Sequence, residues 1–127
     1  MMYQQFLDFI KANRLFSRED RILLGISGGI DSMVMMYLFL KARYHFGVAH
    51  CNFQLRGAES DEEQKFVRDF ADQYQVVFHT KNFDTASFAA AHKVSVQMAA
   101  RRLRYQWFQE LRTRNHYDVI ALGHNLN

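Results

Sequence analysis

The sequence of 127 residues contains no proline and one cysteine, Cys51. A lone thiol excludes an intrachain disulfide and a multi-thiolate metal site, and it makes a reducing, cytoplasmic setting the default expectation. No proline-rich linker, repeat or low-complexity tract divides the chain. Long apolar runs are also missing. The longest, Met33–Leu40, is eight residues, against the roughly twenty needed to cross a bilayer, so no membrane association is expected. The N-terminal stretch MMYQQFLDFIKANR places Asp8 among its apolar residues and offers no small-residue cleavage site, so it reads as a helix and not as a signal peptide. Net charge is only +3, too little to establish nucleic-acid binding by itself.

What is present is the material for one core: 49% hydrophobic and 15% aromatic residues in a chain of single-domain length. The charges are segregated. Residues 58–72 hold six acids and two bases, whereas residues 93–114 hold six bases and one acid. A polyanion would therefore meet the C-terminal half.

Helical spacing of Tyr3, Phe6, Leu7 and Ile10 predicts a short helix over 3–13. Ile22–Ile26 reads as a buried strand ending at a Ser-Gly-Gly turn, and residues 32–43, apolar nearly all round, read as a buried helix. Phe46–Cys51 is a second strand, followed by a loop over 52–59. Ser60 with Glu63 forms a capping box for a helix through Tyr74. Val76–Thr80 is a third strand. Asp84 or Thr85 caps a short helix to His92, Ser95 opens a longer one with Trp107 on its apolar side, and Asp118–Leu122 is a fourth strand. Strands alternating with helices predict an α/β fold, a parallel sheet with helices on both faces. Ligands in such sheets sit at the carboxyl ends of strands, which singles out Ser27, His50 and Gly123.

The first strand runs into Ser27-Gly28-Gly29-Ile30-Asp31-Ser32 and then a helix. Paired glycines bring bare N–H groups close to a ligand, the helix N-terminus adds partial positive charge, and the flanking serines supply hydroxyls. Together these make a phosphate cradle. It is neither GxxxxGK[ST] nor GxGxxG, and no lysine lies between Arg21 and Leu40 to grip a γ-phosphate. Asp31 beside a polyphosphate calls for a divalent ion between them, and Mg²⁺ binds in that way, by one or two carboxylates plus phosphate oxygens. Arg101 and Arg104, three residues apart, share a helix face and can meet phosphates together. Cys51, next to His50 on a strand, points to the opposite face and reads as core.

These segments carry a family resemblance. SGGIDS resembles the pyrophosphate loop of the N-type ATP pyrophosphatases. His50-Cys51-Asn52-Phe53-Gln54-Leu55-Arg56-Gly57 with Ser60-Asp61, the helix Ala100-Arg101-Arg102-Leu103-Arg104-Tyr105, and Ala121-Leu122-Gly123-His124-Asn125 resemble, in order, segments of the tRNA(Ile)-lysidine synthetase family. Met98 stands where that family often has glutamate. The resemblance implies a three-layer αβα, Rossmann-like PP-loop domain with strand order 3-2-1-4. It implies that residues 1–127 are the N-terminal part of a catalytic domain whose later part, with tRNA-binding regions, follows, and that this part alone is inactive as a ligase. It further implies ATP and Mg as cofactors, isoleucine tRNA and free lysine as partners, and a reaction that adenylates the wobble cytidine and joins lysine to it. Asp31, Arg101 and His124 would be catalytic; Ser27, Gly28, Gly29, Ile30, Asp31, Ser32, His50 and Arg104 would bind nucleotide; Asn52 and Arg56 would bind substrate; and Asp31 would hold Mg. Two alternatives stay open: a related tRNA cytidine thiolase, which carries paired C-x-x-C cysteines that this chain lacks, and a nucleotide-binding module without catalysis.

Overall fold

The computed structural model describes residues 4–8 and 16–122. After a helical segment at 4–8, the order is β1 (Arg21–Gly25), α1 (Ile30–Ala42), β2 (His45–Asn52), α2 (Ala58–Gln73), β3 (Val77–Asn82), α3 (Thr85–His92), α4 (Val96–Asn115) and β4 (Val119–Leu122). The expected helix over 3–13 is thus seen at 4–8, and its remaining residues lie outside those described.

All strand pairings are parallel, in the order β3-β2-β1-β4. β1 is central because it is apolar on both faces, as a parallel strand covered on both sides must be. Ile22 and Leu24 pack with Met36 and Phe39 of α1 and Val67 and Ala71 of α2. Leu23, facing the other way, packs with Trp107, Phe108 and Leu111 of α4. Helices therefore cover both faces, and Trp107 is core as its spacing predicts.

Local sequence explains the element ends. Asp84 caps α3 by accepting the Ser87 N–H at 3.2 Å, and Ser95 caps α4 by accepting the Met98 N–H at 3.1 Å. Asp118 lies just outside β4. Its carboxylate accepts the Arg21 N–H at 2.8 Å and its own N–H donates to the Arg21 carbonyl at 2.8 Å, which pins β4 to the start of β1. The capping box expected at Ser60 and Glu63 does not form. α2 starts earlier, after Gly57 at φ +55°, and the Ser60 hydroxyl instead accepts the Arg56 N–H at 3.1 Å. Gly57 makes the turn, which frees Glu63 for another partner. Gly47 in β2 leaves room for the Tyr117 ring, and a Cβ there would collide with the Tyr117 hydroxyl.

Candidate functional site

Ser27 follows β1 at its carboxyl end, in the middle of the sheet. The turn is closed by a ring of hydrogen bonds. Gly29 N–H donates to Ser27 Oγ (3.3 Å), Ser27 donates to Ser32 Oγ (3.1 Å), and Ser32 donates back to the Gly29 carbonyl (3.0 Å). Gly28 N–H also donates to Ser32 Oγ, at 3.0 Å. The two serines thus shape the loop from inside, and Ser32 is buried in doing so.

The two glycines do different work. Gly28 has φ +97°, a conformation open to glycine. Gly29 has φ −72°, which any residue can adopt, and a Cβ there would meet nothing nearer than Ser27 Oγ at 3.6 Å. The fold does not need glycine at 29, but close approach of a ligand to the backbone does. Gly29 is also the N-cap of α1 and has no side chain to cap it. Among the described residues no acceptor meets the N–H groups of Ile30, Asp31 and Ser32. Three unpaired donors at the positive end of a 13-residue helix form an anion site.

A cleft of about 430 Å³ opens beside this turn, a size suited to small molecules. Of the residues expected to act, Ser27, Asp31, Ser32, Arg56 and Arg104 line it. Gly28, Gly29 and Ile30 form the turn beside the cleft without lining it, and the Ile30 side chain is exposed at the helix start. Arg101 stands apart, in a second groove of about 980 Å³ between α3, α4 and β4 that it shares with Met98 and Tyr105. Arg104 and Phe108 border both spaces. Gly123 and His124 lie outside the described residues.

Two residues expected to meet ligand are held by contacts within the protein. His50, 2% exposed, is not among the residues that line the cleft, and its Nδ1–H donates to the Ile26 carbonyl at 2.8 Å. Asn52, 1% exposed, donates to Asp61 Oδ1 (2.9 Å) and Gln64 Oε1 (3.0 Å) and accepts the Gln54 N–H (2.9 Å). Alternation along β2 explains both: Val48, His50 and Asn52 face α1 and α2, whereas Ala49 and Cys51 face the cleft. His50 and Asn52 accordingly hold the strand end and the following loop. Burial lowers the His50 pKa below its ordinary 6.5, against the opposing influence of the Ile26 carbonyl and Glu63. Cys51, expected in the core, packs against the cluster of Leu23 and Trp107 and also borders the cleft. Burial pushes its thiol up to about 12 despite the pull of Arg104, so it stays protonated and inert.

Sequence reasoning missed Glu63 as a site residue. It lines the cleft, its side chain lies against Gly28, and both carboxylate oxygens accept from Arg56 Nη2 at 3.2 Å. Its assignment to a capping box hid this, although Arg56 and Glu63 seven residues apart were visible as opposite charges. Among the described residues no group of three or more His, Cys, Asp or Glu side chains could hold a metal. A cation here would need ligand oxygens besides Asp31, which suits Mg²⁺ carried with a phosphate.

A strand, a serine-flanked glycine turn and a bare helix N-terminus at the centre of a 3-2-1-4 sheet define a PP-loop domain. The chain belongs to that family: the PP-loop domain model matches residues 2–127. Along nearly its whole length the chain is similar to proteins named tRNA(Ile)-lysidine synthase. It is 37% identical over 125 residues to the one from Bacteroides thetaiotaomicron (98% of this chain, 29% of the relative). It is 41% identical over 117 residues to that of Parabacteroides distasonis (92% and 27%), and 42% over 126 residues to that of Chlorobaculum tepidum (96% and 38%). The chain therefore spans well under half the length of these relatives. No helix among the described residues is long and apolar enough to cross a membrane.

Proposed function

We propose that the chain is the N-terminal part of the catalytic domain of an ATP-dependent tRNA-modifying ligase, acting in the cytoplasm. It would adenylate the wobble cytidine of isoleucine tRNA and join lysine to form lysidine, releasing AMP and pyrophosphate. The observation that carries this reading is the open anion site at α1, with three unpaired N–H groups and a Gly29 that only a ligand requires, in a chain similar to tRNA(Ile)-lysidine synthases.

In the first step the cytidine carbonyl oxygen attacks the α-phosphate, the bond to the bridging oxygen breaks, and pyrophosphate leaves. In the second, the ε-amine of lysine displaces AMP at the activated carbon and gives up a proton. The donors at the head of α1 hold the departing pyrophosphate, and Arg56 and Arg104 offset charge across the cleft. Asp31 would hold Mg²⁺ against the phosphates, where the ion supplies charge neutralisation. Arg101, which lines the adjoining groove, would meet the tRNA. His124 is proposed as a further catalytic group beyond β4.

Calorimetry with Mg-ATP tests the cleft. Binding is expected, and Gly29→Val should abolish it with little loss of stability, because the added side chain fills ligand space and not protein space. Nucleotide binding indifferent to Gly29 overturns the reading. Pyrophosphate release that requires isoleucine tRNA, assayed with the catalytic domain complete, separates a ligase from a nucleotide-binding module.

A further inference from the structure

Arg56 is one of two arginines lining the cleft, and its guanidinium is already engaged. Nη1 donates to Glu59 at 3.2 Å and Nη2 to Glu63 at 3.2 Å. Both acids come from the first turns of α2, four residues apart and so on one helix face. The Glu63 side chain lies so close against Gly28 that a Cβ there would collide with its Cγ. The carboxylate that holds Arg56 therefore stands at the glycine turn itself, in the same cleft as the open N–H groups.

We propose that Glu63 competes with the phosphate of the incoming nucleotide for the Arg56 guanidinium, and that this exchange of partners sets how tightly the cleft holds a polyphosphate. The inference rests on reading the cleft as a polyphosphate site. Carboxylate and phosphate oxygens are the same kind of charged acceptor for Arg56 Nη2, which donates to both Glu63 oxygens, so a phosphate oxygen can take their place. The Glu63 side chain is 28% exposed and the Arg56 side chain 52%, so neither is locked and the pair between them is worth little. Exchange is therefore affordable in both directions. When a phosphate arrives, Arg56 turns to it and Glu63 swings toward solvent. Glu63 is thus a positioning residue that acts through Arg56, and Glu59 steadies the arginine from its outer side.

Inorganic pyrophosphate, titrated calorimetrically with Mg²⁺ present throughout, is the probe, with circular dichroism to confirm that each variant is folded. Glu63→Gln should bind about fivefold tighter than the parent chain, the scale of one exposed ion pair, and the gain should shrink in about 0.5 M salt. Glu59→Gln should gain less, and Arg56→Gln should bind more weakly than the parent. In the Arg56→Gln background, Glu63→Gln should add less than about twofold. A full gain in that background would mean that Glu63 merely repels the anion, and would overturn the exchange. Unchanged or weaker binding by Glu63→Gln overturns it as well. If no variant binds pyrophosphate, the polyphosphate reading of the cleft falls and this inference with it; if the parent binds and Glu63→Gln binds equally, only the inference falls.

Discussion

Ser32 Oγ accepts the Gly28 N–H at 3.0 Å and at the same time donates to the Gly29 carbonyl at 3.0 Å. One hydroxyl therefore sets the geometry of both peptide groups on either side of the turn. Ser32→Ala leaves the Gly28 donor unpaired inside the loop, while the Gly29 carbonyl keeps the Met33 N–H at 3.0 Å. The cost in stability should be about 1 kcal/mol, while affinity for Mg-ATP, which depends on the shape of that loop, should fall about tenfold. Paired calorimetric and thermal-melting measurements check this. Unaltered nucleotide affinity would show that the ring of hydrogen bonds is scaffolding alone.

Asp31 sits in the first turn of α1 and borders the cleft. Its contribution to the fold is limited to the helix dipole, about 0.3–1 kcal/mol. Asp31→Asn should melt within a few degrees of the parent and lose most of the increase in ATP affinity that Mg²⁺ brings. Binding of ATP measured with and without the metal decides the point. A large drop in melting temperature with metal dependence intact would make Asp31 a helix-terminus residue only.

Gly47→Ala should be costly although it adds one methyl group. The new carbon would collide with the Tyr117 hydroxyl, which pairs with His79 Nε2 at 2.9 Å. Displacing that ring should cost about 1–3 kcal/mol, in the range of overpacked cores. Urea unfolding measures it, and Gly47→Ala combined with Tyr117→Phe should recover part of the loss. No loss at all would contradict the packing described.

Acid should weaken the fold before its carboxylates protonate. Burial lowers the pKa of both His50 and His79 below 6.5. The unfolded chain then binds more protons than the folded one, so stability rises with pH and is lost as pH falls through 6.5 toward the lower folded values. Denaturant midpoints at pH 7.5 and 5.5 should differ, and His50→Gln should flatten part of the difference. A midpoint that is flat or higher in acid would refute the burial argument.

The order of elements was legible because α2 and α4 carry a helical period, α1 an apolar stretch too long for a strand, α3 its cap, and the strands short apolar runs; the Ser27–Ser32 turn was legible because only a few residue types make such a loop. The facing of β2 was not. Val48, Ala49, His50, Cys51 and Asn52 show no clean alternation of polarity, since a strand covered on both sides needs none. Hence the sequence did not show that His50 bonds the Ile26 carbonyl and Asn52 bonds α2, nor that Cys51 borders the cleft as well as the core. Glu63 was hidden for a local reason: a Ser-x-x-Glu spacing matches a helix cap, and the backbone turn at Gly57 that displaces the cap cannot be read from composition.

β2 alternates between residues that tie the domain together and residues that border the cleft, so its side chains obey a parity rule. A single-residue insertion or deletion within His45–Asn52 would exchange the two sets, delivering an imidazole and an amide to the nucleotide and a thiol to the helices behind. Two-residue changes would restore the parity, and length changes in residues 54–56 would leave it untouched. The tolerance of this region to insertions should therefore depend on whether the number of added residues is odd or even more than on what they are.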